Sequence, residues 1–172
     1  LYLRNIRRLI EGPAIDFGCG VGELLQILPA GSVGLEINES AVRHCRSRGM
    51  DVRLYDPASD GYQFNGLEPG VFRSFVMSHV LEHLDQPMSV AGSIFTSCAR
   101  LAIPRIIFVV PGVKGFRSDK THRTFIDGSF FAGRVGEYRK LSAAYFPVNV
   151  KLIGSFFTHH ELVVVYDRQD KS

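Results

Sequence analysis

The 172-residue sequence predicts an α/β fold, a three-layer αβα sandwich on a mostly parallel, seven-stranded sheet that ends in an antiparallel hairpin. Three observations predict it. Strand-length apolar runs alternate with helix-patterned segments, as in a parallel sheet with helical crossovers. The first such run leads directly into a glycine cluster, Gly18, Gly20 and Gly22. The last two β-rich runs are joined by only Thr158 to His160, which suits a hairpin and is too short for a parallel crossover.

The elements follow in order. Ala14 to Phe17 reads as a short buried strand. Gly22 to Leu28 reads as a helix with Leu24, Leu25, Ile27 and Leu28 on its apolar side, ended by Pro29 to Gly31. Ser32 to Glu36 is a second strand, and a helix from Glu39 to Arg48 is stopped by Gly49. Asp51 to Tyr55 is a third strand, and the Pro-, Gly-, Asp- and Asn-bearing stretch from Pro57 to Gly70 is a surface loop. Arg73 to Met77 and Arg105 to Val110 are the fourth and fifth strands, joined by a helix from Met88 to Leu101. Val150 to Phe157 and Glu161 to Tyr166 form the terminal hairpin, with His159 and His160 exposed in its turn.

Length allows one domain with a sizeable core. Its parts are an N-terminal segment (1–12), a cofactor-binding half (13–110) and a substrate-side half with the hairpin (111–172). The composition, 45 % hydrophobic and 22 % charged, is that of a soluble globular protein. A net charge of +3 points to neither nucleic acid nor membrane and leaves RNA open. Cys19, Cys45 and Cys98 are far apart and form no CxxC pair, so they read as reduced thiols of a cytosolic protein. No apolar run approaches the roughly 18–20 residues of a membrane span. The chain starts at Leu1 without a signal-peptide pattern, and a segment upstream of it is expected.

Asp16-Phe17-Gly18-Cys19-Gly20-Val21-Gly22 lies between the first strand and the first helix, where open α/β sheets bind nucleotide-like ligands. Glycines there permit a sharp turn and close approach of a ligand. The dinucleotide fingerprint GxGxxG is absent, and an acid precedes the first glycine by two positions. A carboxylate at Asp16 would repel a pyrophosphate and attract a sulfonium or ammonium. Glu36, at the end of the second strand, is placed to accept hydrogen bonds from ribose hydroxyls.

At these residues the chain resembles the class I S-adenosylmethionine-dependent methyltransferases, small Rossmann-like enzymes of the type 11 and type 12 kind. The resemblance rests on AIDFGCGVG, VGLEIN, FVMSHVLEHL and the terminal hairpin, and runs from Ala14 to Tyr166. It implies S-adenosylmethionine as cofactor. Asp16, Gly18, Cys19, Gly20 and Gly22 would surround its methionine part, Glu36 would hold the ribose, Ile37 would flank the adenine, and Asp56 would sit near the adenine amino group. Pro57 stands where the family often has a small residue. Ser78 and His79 would lie near the reacting methyl.

Three readings of His79, His83 and His122 stay open. One histidine acts as general base for a hydroxyl or amine acceptor, since imidazole titrates near neutrality. Alternatively His79, Glu82, His83 and His122 hold a divalent metal. That spacing resembles small-RNA 3′-terminal and ubiquinone-pathway methyltransferases, which carry Glu-x-x-Glu-His where this chain has His79 first. In the third reading the segment packs its loop and the histidines bond to backbone. The HExxH spacing of a zincin is absent.

Arg4, Arg7, Arg8, Arg43, Arg46 and Arg48 read as solvated basic faces, with phosphate contact as the sharper alternative. Pro111 to Pro147 carries aromatics that suit an acceptor pocket, with Phe130 and Phe131 packing a helix near Asp127 to Gly133. The expected reaction is direct displacement of the methyl onto a small-molecule O or N acceptor. Its rivals are a catalytically silent cofactor-binding partner subunit and an NAD-dependent oxidoreductase. Neither the acceptor nor the oligomeric state is legible in the sequence.

Overall fold

The computed structural model describes residues 2–147 and 160–169. Helix α1 (Tyr2–Leu9) precedes β1 (Ala14–Phe17), β2 (Val33–Glu36), α2 (Glu39–Ser47), β3 (Val52–Leu54), the short α3 (Pro57–Asp60) and β4 (Ser74–Ser78). Helix α4 (Pro87–Arg100), β5 (Arg105–Pro111), α5 (Val113–Ser118), β6 (Arg134–Val135), β7 (Tyr138–Phe146) and β8 (Glu161–Arg168) follow. Among the described residues the sheet has eight strands, not seven, in the order β3-β2-β1-β4-β5-β8-β7-β6. The first five are parallel, so their C-terminal ends share one edge. The last three are antiparallel.

Period-two alternation divides the core into the expected three layers. Ile15, Phe17, Phe75, Met77, Ile106 and Phe108 face α4, where Ile94, Phe95 and Cys98 cover them. Ala14, Val76, Ile107, Val109, Val163 and Val165 face the other way, against Ile6 and Ile10 of the N-terminal segment and Leu24. β1 and β2 are buried along their whole length, as parallel strands covered on both faces must be. Arg105 Nε and Nη2 donate to both carboxylate oxygens of Asp167 at 2.7 and 2.8 Å, while Nη1 pairs with Glu11 at 2.7 Å. These bonds tie β5, β8 and the end of the N-terminal segment together.

Four sequence expectations need correction. The helix expected over Gly22 to Leu28 is a single 3₁₀ turn, Leu25–Ile27. Gly20 and Gly22 are left-handed (φ +54° and +81°), and Leu28 is extended ahead of Pro29, where proline disfavours helix. No helix forms at Asp127 to Gly133. Asp127 Oδ1 accepts from the Ser129 amide at 2.9 Å and closes a turn, although Phe131 is buried as expected. The antiparallel partner of the last strand is β7, with Ala143 opposite Val164, and β5 occupies its other edge. Tyr138–Phe146 is rich in Arg, Lys, Ser and Ala, so its β character comes from pairing and not from propensity. His160 is buried and stacks on Tyr145 at 4.7 Å, so it is not an exposed turn residue. His159 and Val150 to Phe157 lie outside the described residues.

Candidate functional site

The glycine loop turns off the C-terminal end of β1 and is fastened to β2. Gly18 N donates to Leu35 O at 2.8 Å. Gly20 N donates to Glu36 Oε2 at 2.7 Å, and Asn38 N to Glu36 Oε1 at 2.8 Å. Both oxygens of Glu36 are thus held by backbone amides. Gly18 is left-handed (φ +72°), and a Cβ there would lie 2.5 Å from Val80 Cγ2. Only glycine fits this close approach.

Above the loop lies a cleft of about 280 Å³. Asp16, Gly18, Cys19, Gly20, Ser78 and His79 line it, six of the residues expected to hold the cofactor. Asp16 is buried, and its Oδ2 has no hydrogen-bond partner among the described residues. Burial, and then the nearby Glu36, push its carboxyl up to about 7. A carboxylate buried beside a second acid is costly to ionise, and a positive charge next to it would favour its ionised form. The other expected residues, Gly22, Glu36, Ile37 and Asp56, do not line the cleft. Gly22 gives room to Met50 and Cys45, Ile37 is 61 % exposed beyond β2, and Asp56 caps α3 by accepting from Ala58 N at 2.9 Å.

The three histidines separate. His79 follows β4 with a left-handed backbone (φ +56°), a conformation that costs a non-glycine residue about 1 kcal/mol or more. Its Nδ1 lies 3.2 Å from Glu82 Oε1 and its Nε2 3.7 Å from Glu161 Oε1. The segment after it forms a 3₁₀ turn, Leu81–His83, so the i,i+4 helical face expected for His79 and His83 does not exist. His83 and His122 instead face each other, ring centroids 4.7 Å apart, away from the cleft-lining set. Two further residues belong here. Tyr2 of α1 lines the cleft, its hydroxyl bonded to Ser78 Oγ at 2.7 Å and its ring 5.7 Å from His79. Glu161, buried, opens the apolar run of β8, and an acid heading ELVVVY was the available signal.

A parallel sheet with this strand order, a glycine turn after β1 and antiparallel strands at the end define a protein of the class I S-adenosylmethionine-dependent methyltransferase fold. Solved structures agree. The chain superposes on a SAM-dependent methyltransferase from Archaeoglobus fulgidus (17 % identity, TM-score 0.65, 97 % of this chain and 91 % of that one). It superposes similarly on the N-methyltransferase NodS from Bradyrhizobium japonicum WM9 (12 %, TM-score 0.68, 98 % and 93 %). A third is the magnesium protoporphyrin IX methyltransferase ChlM from Synechocystis PCC 6803, solved with bound SAM (16 %, TM-score 0.60, 98 % and 75 %). No curated protein matches by sequence. The chain belongs to the MetW family, described as methionine biosynthesis protein MetW, whose family model matches residues 3–112. Among the described residues no helix is long and apolar enough to cross a membrane.

Proposed function

We propose that the chain binds S-adenosylmethionine in the cleft above the glycine loop and transfers its methyl group to a small-molecule oxygen or nitrogen by direct displacement. The observation that carries this reading is the buried, unpartnered Oδ2 of Asp16 facing a cleft bounded by glycines. A ligand with a positive group would offset both the desolvation of that carboxylate and its repulsion by Glu36. A pyrophosphate would worsen both, which argues against NAD.

When bound, S-adenosylmethionine supplies a methyl carbon already activated by a positively charged sulfur. The chain's own residues then align and protect. Asp16 faces the cationic end, the Gly18 and Gly20 backbone lets the ligand approach closely, and Tyr2 with Leu3 covers the cleft from α1. Alignment and exclusion of water supply most of the acceleration in such a displacement. His79 lines the same cleft, and Glu82 fixes its ring through Nδ1, so Nε2 is the atom assigned to take a proton from the acceptor. A cytosolic setting belongs to the same reading and is supported by Cys19, Cys45 and Cys98, all buried free thiols.

The rival reading is a cofactor-binding partner subunit without catalysis, in a family described as methionine biosynthesis protein MetW. Calorimetry with S-adenosylmethionine and with NAD, on the parent chain and on Asp16→Ala and Glu36→Ala, tests the cofactor. Binding of the first ligand alone, weakened in both variants, upholds it, and binding of NAD alone overturns it. Turnover with a panel of labelled-methyl acceptors then separates the enzyme from the silent subunit.

A further inference from the structure

Outside the cleft, a carboxylate oxygen of Glu82 and one ring nitrogen each of His83 and His122 lie within 4.8 Å of one another. We infer that these three residues form a binding site for a divalent first-row transition ion of the Zn²⁺ or Co²⁺ kind.

Proton accounting on the two rings points the same way twice. His122 Nδ1 lies 2.8 Å from Phe116 O. A carbonyl only accepts, so Nδ1 carries the proton, and in the neutral ring Nε2 holds a lone pair. His83 Nδ1 lies 3.1 Å from Thr121 Oγ1. The one hydroxyl proton of Thr121 is donated to Asp119 Oδ1 at 2.7 Å, so its oxygen accepts from His83 Nδ1. His83 Nε2 is therefore also left with its lone pair. An Nδ1–H anchored on a protein oxygen, with Nε2 presented bare, is how metal-ligating imidazoles are oriented.

Glu82 supplies the second, independent observation. Its side chain is completely buried, and its Oε2 has no hydrogen-bond partner among the described residues. A buried carboxylate oxygen without a partner is costly. Its other oxygen lies 3.2 Å from His79 Nδ1 and 3.9 Å from His122 Nε2. The loop that carries His122 is pinned to the same place, since Arg123 N and Thr124 N donate to Glu82 O at 2.8 and 3.1 Å. Two nitrogen donors and one carboxylate, with further positions left to water or ligand, match open Zn²⁺-type sites. Donors around one such ion stand about 3–3.5 Å apart, so binding draws the three together by small side-chain rotations. His79 is excluded from the ligand set because it spans Glu82 and Glu161 instead.

The inference stands apart from the cofactor reading and is tested without cofactor. Chelator-treated protein is titrated with Zn²⁺ by calorimetry and with Co²⁺ by visible absorption. The expected result is one ion per chain, with cobalt d–d bands of a nitrogen-ligated site. His83→Ala and His122→Ala each weaken binding at least about tenfold, and Thr121→Val, which removes only the ring anchor, weakens it about 10–100-fold. His83 is half-buried, so its variant tests the site even if Glu82→Gln fails to fold. No binding at millimolar ion, or equal affinity in His83→Ala and His122→Ala, overturns the site.

Discussion

Glu36 accepts the backbone amide of Gly20 at 2.7 Å, so the carboxylate expected to hold a ribose also holds the loop beneath the cleft. Its other oxygen takes Asn38 N at 2.8 Å. Glu36→Ala removes two charge-assisted hydrogen bonds of about 1.5–3 kcal/mol each at most. It is expected to lower stability by about 2 kcal/mol in urea unfolding and to weaken S-adenosylmethionine at least about tenfold by calorimetry. A variant with unchanged affinity would separate loop fastening from ligand binding.

Asp16 gives a pH dependence of defined sign. Its carboxyl is raised to about 7 in the folded chain, against an ordinary value of 3.8. The folded state therefore holds the proton more tightly than the unfolded one between these values. Its stabilising contribution is complete below about pH 4 and is lost as pH rises through about 7. Denaturation midpoints should fall across that window, and Asp16→Asn should flatten the fall. Binding of a cationic ligand should run the other way, tightening from pH 6 to 8 with proton release, and this too should vanish in Asp16→Asn.

His79 pairs backbone strain with a position in the cleft. His79→Gly is expected to relieve the left-handed φ of +56°, offsetting the lost bond to Glu82, so thermal stability changes little. If His79 takes the acceptor's proton, turnover falls about 10²–10⁴-fold while cofactor affinity holds. Full turnover in His79→Gly would remove it as a base.

Gly18→Ala should destabilise the chain and abolish cofactor binding, because the new methyl meets Val80 Cγ2 at 2.5 Å in a left-handed backbone. The loss in ΔG should be about 1–3 kcal/mol. Gly18→Ala with Val80→Ala should recover part of the stability, by the share due to collision and not to φ. No recovery would assign the whole loss to backbone strain.

The ion pair of Arg105 with Asp167 is bidentate and mostly shielded, the arginine side chain being 16 % exposed. Asp167→Ala should cost about 1–2 kcal/mol in chemical denaturation, more than an exposed pair would. Arg105 also binds Glu11 and Leu9 O, so hydrogen exchange in α1 should quicken in Arg105→Met.

Patterns carried by local chemistry were legible. Four of the five parallel strands declare themselves because strands buried on both faces must be almost wholly apolar, while β3 lies at the sheet edge with Arg53 and Leu54 exposed. The glycine loop declares itself because left-handed backbone and close approach admit little else. Helices α2 and α4 begin and end close to where their caps and prolines lie. Elements held by partners were not legible. β7 carries Arg139, Lys140 and Ser142 and becomes a strand because β8 offers it an unpaired edge. His160, polar in a turn-like sequence, is buried because Tyr145 and Gly112 close on it.

The same division runs through the candidate site. By itself the sequence determined the fold class, the loop that turns off β1, and the acid two residues before its first glycine. Each of these is fixed by the backbone conformation or charge of neighbouring residues. Only the tertiary structure decided that Tyr2 and Glu161, from the two ends of the chain, meet at His79, and that His83 turns from the cleft toward His122. These are contacts between residues far apart in sequence, set by how the sheet brings its loops to one edge, and no local pattern encodes them.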